Sequence, residues 1–239
     1  TQPLPLYYTL RATFDPTYTP LTIPTRELWM TTYQSQMNGT FLETLRTNLW
    51  EGQLASLAWA WDHGRVFQTA ALFLLGMLAG RRRLFLQEAL PVWNKICAGA
   101  IIAFFPLYGI NNLLPQFIEN RSILVPLSLI ISSLANFGFM LMLVSGVLFM
   151  YYRTRMQSLL RKIIPYGKMS LTNYITQSII GSFLFYHWGL GLHSHLTITA
   201  SCLTGIVLFF LQWKCCDWWM KHHDHGPLEY LWKRATWLR

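Results

Sequence analysis

Ser170, Thr172, Asn173, Gln177 and Ser178 stand in the segment GKMSLTNYITQS, at the head of one of the most apolar stretches of the chain. On a helix, Ser170, Asn173, Gln177 and Gly181 follow one another at i+3, i+4 and i+4 and so share one face. Amides and hydroxyls arranged in this way can line a path for a solute or an ion. They can equally hydrogen-bond one helix to another. An unsatisfied amide in hydrocarbon costs several kcal/mol, so the stripe must face other helices or water. It contains no ionisable residue, and helix packing, worth ~0.6 kcal/mol per interhelical hydrogen bond on average, is the preferred reading over substrate contact.

A second group with chemical potential is Asp62-His63-Gly64-Arg65, with Gln68 one turn further on. An arginine at the end of an apolar run either snorkels to the headgroups or binds an anionic group in an outer vestibule. Tyr108 with Asn111 and Asn112, and His187 with His193 and His195, lie at the ends of other apolar runs. Tyr108 and His187 join Arg65, Gln68, Asn173 and Gln177 as candidate substrate-binding residues. His222, His223, Asp224 and His225 have ligand chemistry, but consecutive side chains seldom converge on one ion, and no metal site is assigned. Cys97, Cys202, Cys215 and Cys216 show neither disulfide nor zinc spacing and read as apolar filler.

The elements that position these residues follow from composition. The chain of 239 residues is 53% hydrophobic, 15% aromatic and 12% charged, with a mean hydropathy of +0.29. Soluble domains carry about 25% charged residues. The expected fold is all-α: a polytopic membrane protein of about five transmembrane helices with amphipathic interfacial helices. The apolar runs fall at about 64–80, 92–110, 123–152, 169–190 and 196–213. The third is too long for a straight crossing, yet each half is too short for its own, so one tilted helix is expected. Residues 1–25, rich in Pro, Thr and Tyr, read as an extended loop. LETLRTNLWEGQLASLAWAW reads as an interfacial amphipathic helix with Trp50, Trp59 and Trp61 at headgroup level, or as a helix packed on the membrane domain. Gly76-x-x-x-Gly80 and Ser201-x-x-x-Gly205 are small-residue pairs suited to close helix packing.

Charge gives an orientation. Segments 81–95, 153–168 and 214–239 hold 14 of the 19 Lys and Arg residues. They share one side only if the third run crosses once, and the positive-inside rule makes that side cytoplasmic. The C-terminus is then cytoplasmic and residues 1–62 extracytoplasmic. The net charge of +9 is thereby assigned to the bilayer and not to nucleic acid. Residues 1–62 need translocation, yet the sequence opens at Thr1 with neither Met nor a signal-peptide apolar region, so upstream sequence with further spans is expected.

The tail KHHDHGPLEYLWKR adds a helix start: Gly226 as N-cap, Pro227 at the first helical position and Glu229 complementing the dipole. Leu228, Leu231, Trp232, Trp237 and Leu238 among Lys233, Arg234 and Arg239 make a basic amphipathic helix for the inner headgroups. GPLEYLWKR resembles the C-terminal signature of the YeiB-like bacterial membrane proteins. GKMSLTNYITQS resembles their Gly-x-Met-(Ser/Ala)-Leu-Thr-Asn-Tyr-x-x-Gln-Ser segment, and LFLLGMLAGRR their first conserved-domain span. The matches stand in the family's order and cover roughly residues 63–239, read as a YeiB-like membrane domain after the leading 1–62.

The resemblance implies a bacterial inner-membrane protein of uncharacterised function, described as a possible transporter component and similar in organisation to transmembrane acyltransferases of the heparan-glucosaminide acetyltransferase type. Its family-motif positions are Gly167, Asn173, Tyr174, Gln177, Ser178, Gly226, Pro227 and Glu229. Lys233 departs from the Arg common there, which weakens a bidentate anion role. The resemblance implies that this chain is the C-terminal half and that the catalytic His of the acyltransferases belongs to the earlier half, so no catalytic residue is assigned. In that reading an acyl group passes from a cytoplasmic donor, an acyl thioester, to an extracytoplasmic acceptor. A solute transporter and a structural membrane domain are the alternatives. The partners expected are the lipid bilayer and the upstream half, with homo-oligomerisation left open.

Overall fold

The computed structural model of the chain describes residues 3–15, 17 and 25–237. In chain order the helices are α1 (Pro3–Phe14), α2 (Thr25–Asn38), α3 (Phe41–Thr47), α4 (Gln53–Asp62), α5 (Arg65–Arg81) and α6 (Leu90–Phe117). They continue as α7 (Arg121–Arg153), α8 (Gln157–Lys168), α9 (Ser170–Phe185), α10 (Ile198–Met220) and α11 (Pro227–Thr236). No strand occurs among the described residues. The chain forms two compact units. Unit 1 comprises Thr1–Leu28 and Gly52–Arg155; unit 2 comprises Trp29–Glu51 and Met156–Arg239. This division by contacts differs from a partition at residue 62.

Three helical stretches are long and apolar enough to cross a membrane: Gln87–Phe117, Arg121–Arg153 and Ile198–Met220. The runs at 64–80 and 169–190 do form helices, but of 17 and 16 residues, short of the roughly 20 that span the hydrocarbon. Of the five spans expected, three meet this criterion and the other two fall short of it. The shortfall has local causes. Arg83 takes a φ of 52° and closes α5, with Leu84 N donating to Ala79 O. Beyond α9 the chain folds back, Leu190 N donating to Phe183 O at 2.8 Å, and Gly191 adopts a φ of 60°. Apolar composition continues through Tyr186–Leu190, but the helical backbone does not.

In unit 1, α6 and α7 pair along much of their length. Ala100 and Trp93 on α6 and Ala135, Gly138 and Ser145 on α7 are buried. A Cβ at Gly138 would lie 3.5 Å from Ala100 O and 3.6 Å from Phe104 Cβ, so the small residues set the approach, as in other lipid-embedded pairs. The apolar run 123–152 is one continuous helix of 33 residues, about 50 Å long at 1.5 Å per residue. The loop after α5 is pinned by Trp93 Nε1, donating to Leu84 O at 2.7 Å, and Tyr152 Oη, donating to Phe85 O at 2.9 Å. Residues 3–14 are helical, not extended as their prolines led one to expect. Pro3 and Pro5 sit in the first turn, where a missing N–H breaks no intrahelical bond, and α1 packs on α7. The rest of that expected loop, residues 18–24, lies outside the described residues.

In unit 2, α8 packs on α10, and α11 and α8 both touch α9. The basic segment 153–168 contains a helix whose Leu159, Ile163 and Ile164 are exposed beside Arg161 and Lys162. The stretch 42–61 begins here in α3 and a π turn at Asn48–Gly52, and its remainder, α4, belongs to unit 1. A capping box at Thr40 and Glu43 opens it, as two orphan donors are satisfied reciprocally. The small-residue pairs do not mark contacts: a Cβ at Gly76, Gly80 or Gly205 would meet nothing within 4 Å.

A Cβ at Gly189 would overlap the Phe183 carbonyl, whereas one at Gly181 would meet open space. Gly189→Ala is therefore expected to lower stability by ~1–3 kcal/mol, and Gly181→Ala, inside a helix with open space around it, to raise it by up to ~1 kcal/mol. Thermal melts of the detergent-purified variants read the difference; equal melting temperatures would refute this account of how the chain turns after α9.

Candidate functional site

The stripe of the GKMSLTNYITQS segment lies on α9, inside unit 2, and its amides face neighbouring helices. Asn173, 6% exposed, donates through Nδ2 to Tyr166 O of α8 at 3.0 Å and accepts through Oδ1 from the Cys216 thiol of α10 at 3.1 Å. Gln177 is exposed, yet its Nε2 donates to Tyr166 Oη at 2.7 Å and to Gln212 Oε1 of α10 at 2.8 Å. Gln212 is buried, and its own Nε2 has no hydrogen-bond partner. Trp213 Nε1 donates to Lys162 O of α8 at 2.7 Å. Three helices are thus joined through side-chain amides, a phenol and a thiol. Ser170 is exposed, Gly181 touches no neighbour and Ser178 Oγ bonds back to Tyr174 O within its own helix.

The start of α9 meets the start of α11. Thr172 N donates to Glu229 Oε1 at 3.0 Å, and Thr172 Oγ1 donates to Glu229 Oε2. In return, Leu228 N donates to Thr172 Oγ1 at 3.2 Å. Each helix thereby caps the other: a carboxylate from α11 satisfies a free N–H of α9, and a hydroxyl from α9 satisfies one of α11. The anion also stands at the positive end of the α9 dipole. Burial, the largest single influence, pushes the Glu229 carboxyl up. The hydrogen bonds from the Thr172 hydroxyl and from the backbone of Thr172, Glu229 and Leu171 together outweigh it and hold the carboxyl below the ordinary glutamate value. A Cβ at Gly226 would overlap Glu229 Oε2 and stand 3.0 Å from Thr172 Oγ1, so this close approach needs glycine. Pro227 occupies the first helical position of α11.

The remaining candidates fall elsewhere. In unit 1, Arg65 Nη1 donates to Gln68 Oε1 at 2.9 Å, and the guanidinium lies 5.4 Å from the Trp59 ring centroid. Gln68 lines a cavity of about 630 Å³ bounded by α1, α5 and α7, otherwise apolar except for Ser133. Tyr108, on α6, is exposed and stacks on Phe104 at 5.6 Å. In unit 2, His187 is exposed and its backbone N donates to Gln36 O at 3.0 Å. Gly167 meets no neighbouring atom, and Tyr174 is 71% exposed. Among the described residues, no group of three or more His, Cys, Asp or Glu is placed to hold a metal. The histidines of the tail are tied locally: His223 stacks on Trp219 at 4.1 Å, and Lys233 Nζ lies 3.2 Å from His225 Nε2.

Sequence reasoning missed Tyr166, Gln212 and Cys216, and read Thr172 only as one more polar group. Gln212 carried a signal, because it is the lone amide in the run LFFLQWKCC, where a polar side chain needs a partner.

The helices long and apolar enough to span a bilayer define a helical membrane protein. Residues 79–239, about two thirds of the chain, match the family described as Protein of unknown function (DUF418), and the chain belongs to it. Over 95 residues it is 36% identical to the uncharacterized protein YxaH of Bacillus subtilis (strain 168), covering 40% of this chain and 24% of that protein. Over 70 residues it is 33% identical to the uncharacterized protein YeiB of Escherichia coli (strain K12), covering 29% and 18%. An uncharacterized 39.9 kDa protein in the amylase 3′ region of Bacillus acidopullulyticus is 25% identical over 215 residues, covering 80% of this chain and 59% of that protein. The chain thus matches less than two thirds of the length of each relative. No solved structure matches it.

The folded-state depression of the Glu229 pKa fixes the sign of a pH effect: its contribution is complete above the ordinary glutamate value and is lost as pH falls through the lower folded value. Melting temperature is expected to fall in that acid window for the wild type and to respond less in Glu229→Gln. At neutral pH, Thr172→Val is expected to cost ~1–2 kcal/mol, and the double variant less than the sum of the two singles. Additive effects would show that the two residues do not cap each other.

Proposed function

We propose that this chain is the membrane-embedded part of an acyl-handling protein, and that unit 1 binds the acyl chain of an anionic amphiphile. The observation that carries the reading is the junction of the apolar cavity with the Arg65–Gln68 pair. The cavity, about 630 Å³, falls in the range of roughly 300–1,000 Å³ common to ligand sites. Leu6, Phe67, Leu72, Leu134 and Phe137 give it apolar walls. Gln68 supplies a polar mouth and holds Arg65 there. A guanidinium carries five N–H donors, of which Gln68 takes one.

Moving an acyl chain from bilayer hydrocarbon into this cavity gains little, because lipid tails are as apolar as the leucines that line it. Selection must come from the head. A charge-assisted hydrogen bond to Arg65, worth about 1.5–3 kcal/mol, favours a carboxylate or phosphate there. In the five-span reading of the basic loops, Arg65 stands at the outer face of the membrane, where an acyl acceptor or product would be held. In unit 2, the basic helices α8 and α11 attract an anionic acyl thioester by charge. The Asn173–Gln177 cluster holds the helices beneath that approach. The chemistry that breaks the thioester belongs, in this reading, to a preceding membrane half.

Titration of the purified chain with oleate, followed by native mass spectrometry, tests the site. Arg65→Ala is expected to weaken oleate binding about ten- to a hundredfold, and Leu72→Trp to block it by filling the cavity. Unchanged binding in both variants would remove the site. For the longer protein in proteoliposomes, covalent transfer of the labelled acyl group supports the reading; movement of an unaltered solute would make the protein a transporter instead.

A further inference from the structure

We propose that α8 is an in-plane membrane anchor, seated where the acyl chains of a bilayer leaflet meet its headgroups, and that it selects anionic phospholipids there. Its sequence, QSLLRKIIPYGK, sorts by helical face. Leu159 and Ile163 stand four positions apart, with Met156 three before Leu159, so the three share one face. All three are exposed, as is Ile164 beside them. Arg161 and Lys162 fall on the two flanks of the opposite face, with Lys168 next to Arg161. A helix with one apolar and one basic face buries the first at the boundary of acyl chains and headgroups and turns the second to the headgroups. Packing on α10 sets the level. Trp213 Nε1 of α10 donates to Lys162 O at 2.7 Å, and the Tyr166 ring meets Phe209 of α10 at 5.2 Å. Both charged residues of α10, Lys214 and Asp217, follow Trp213. Trp213 thus marks the end of the uncharged length of α10, the level at which indoles collect in a bilayer.

Charge decides what covers the stripe. From Met156 to Cys216 the chain has no Asp or Glu. Beyond that stretch, Asp217 pairs with Lys221 at 2.8 Å and Glu229 caps α9. Among the described residues, no carboxylate comes within ion-pair distance of Arg161, Lys162 or Lys168. A second copy would bring the same basic face against this one, in a chain of net charge +9, and a zwitterionic headgroup offers no net charge. An anionic phospholipid supplies acyl chains for the stripe and a phosphate for the cations, and each Lys or Arg near such headgroups adds to the attraction. The inference goes beyond the acyl-chain site of unit 1 and does not depend on it.

The test reconstitutes the full chain in nanodiscs of phosphatidylcholine and phosphatidylglycerol, with a ¹⁹F-phenylalanine in place of Ile163. Doxyl groups near the top of the acyl chains are expected to broaden its resonance, and an aqueous nickel chelate to leave it sharp. At equal mole fraction, doxyl-phosphatidylglycerol is expected to broaden it roughly five- to twentyfold more than doxyl-phosphatidylcholine. Arg161→Gln and Lys162→Gln are each expected to lower that preference about two- to fivefold, whereas Arg81→Gln, in unit 1, leaves it unchanged. A resonance sharp under both reagents would put protein over the stripe, and one broadened by nickel alone would put α8 in water. Equal broadening by the two lipids would remove the selection. Each of these results overturns the proposal.

Discussion

The first N–H groups of a helix have no partner within it and must find one elsewhere, and this requirement organises unit 2. The N-terminus of α9 is served by the Glu229 carboxylate, which belongs to a helix 57 residues further along the chain. Because Thr172 returns a hydrogen bond to the backbone of that helix, neither end is satisfied without the other. The junction also fixes where α11 lies, and the amide and thiol contacts of α9 to α8 and α10 follow from the same placement of α9. Gly226 is the steric condition for all of it, since any side chain there would occupy the space of the carboxylate.

The motif residues that carry the family resemblance therefore have structural work in this chain. Gly226, Pro227 and Glu229 build the start of α11, and Asn173 and Gln177 bind α9 to its neighbours. Membership in the family and possession of a chemical site are separate matters here. The cavity lined by Gln68, the partner of Arg65, lies where none of these motif residues stands.

What could be read from the sequence was governed by range. The helical, membrane-embedded class followed from composition, the continuous α7 from the length of its apolar run, and the start of α11 from Gly-Pro-x-Glu within four residues. The shared face of Asn173 and Gln177 followed from helical period alone. Their partners did not, because Tyr166, Gln212 and Cys216 stand on other helices, and nothing local pairs them. Pro3 and Pro5 argued for extended chain; the contact of α1 with α7, a tertiary effect, overrode them. The ends of α5 and α9 were hidden because apolar side chains continue past the point where Arg83 and Gly191 turn the backbone.

The shortness of α5 bears on the lipids themselves. Its 17 residues offer about 25 Å of helix to a hydrocarbon layer of about 30 Å, while α7 in the same unit has length to spare. If α5 crossed the bilayer, the lipid around it would have to thin to match its length. Arg65 stands at one of these ends and Arg81, Arg82 and Arg83 at the other. Such thinning would bring lipid phosphates toward these guanidinium groups, and bilayer thickness would become a variable to which this helix responds.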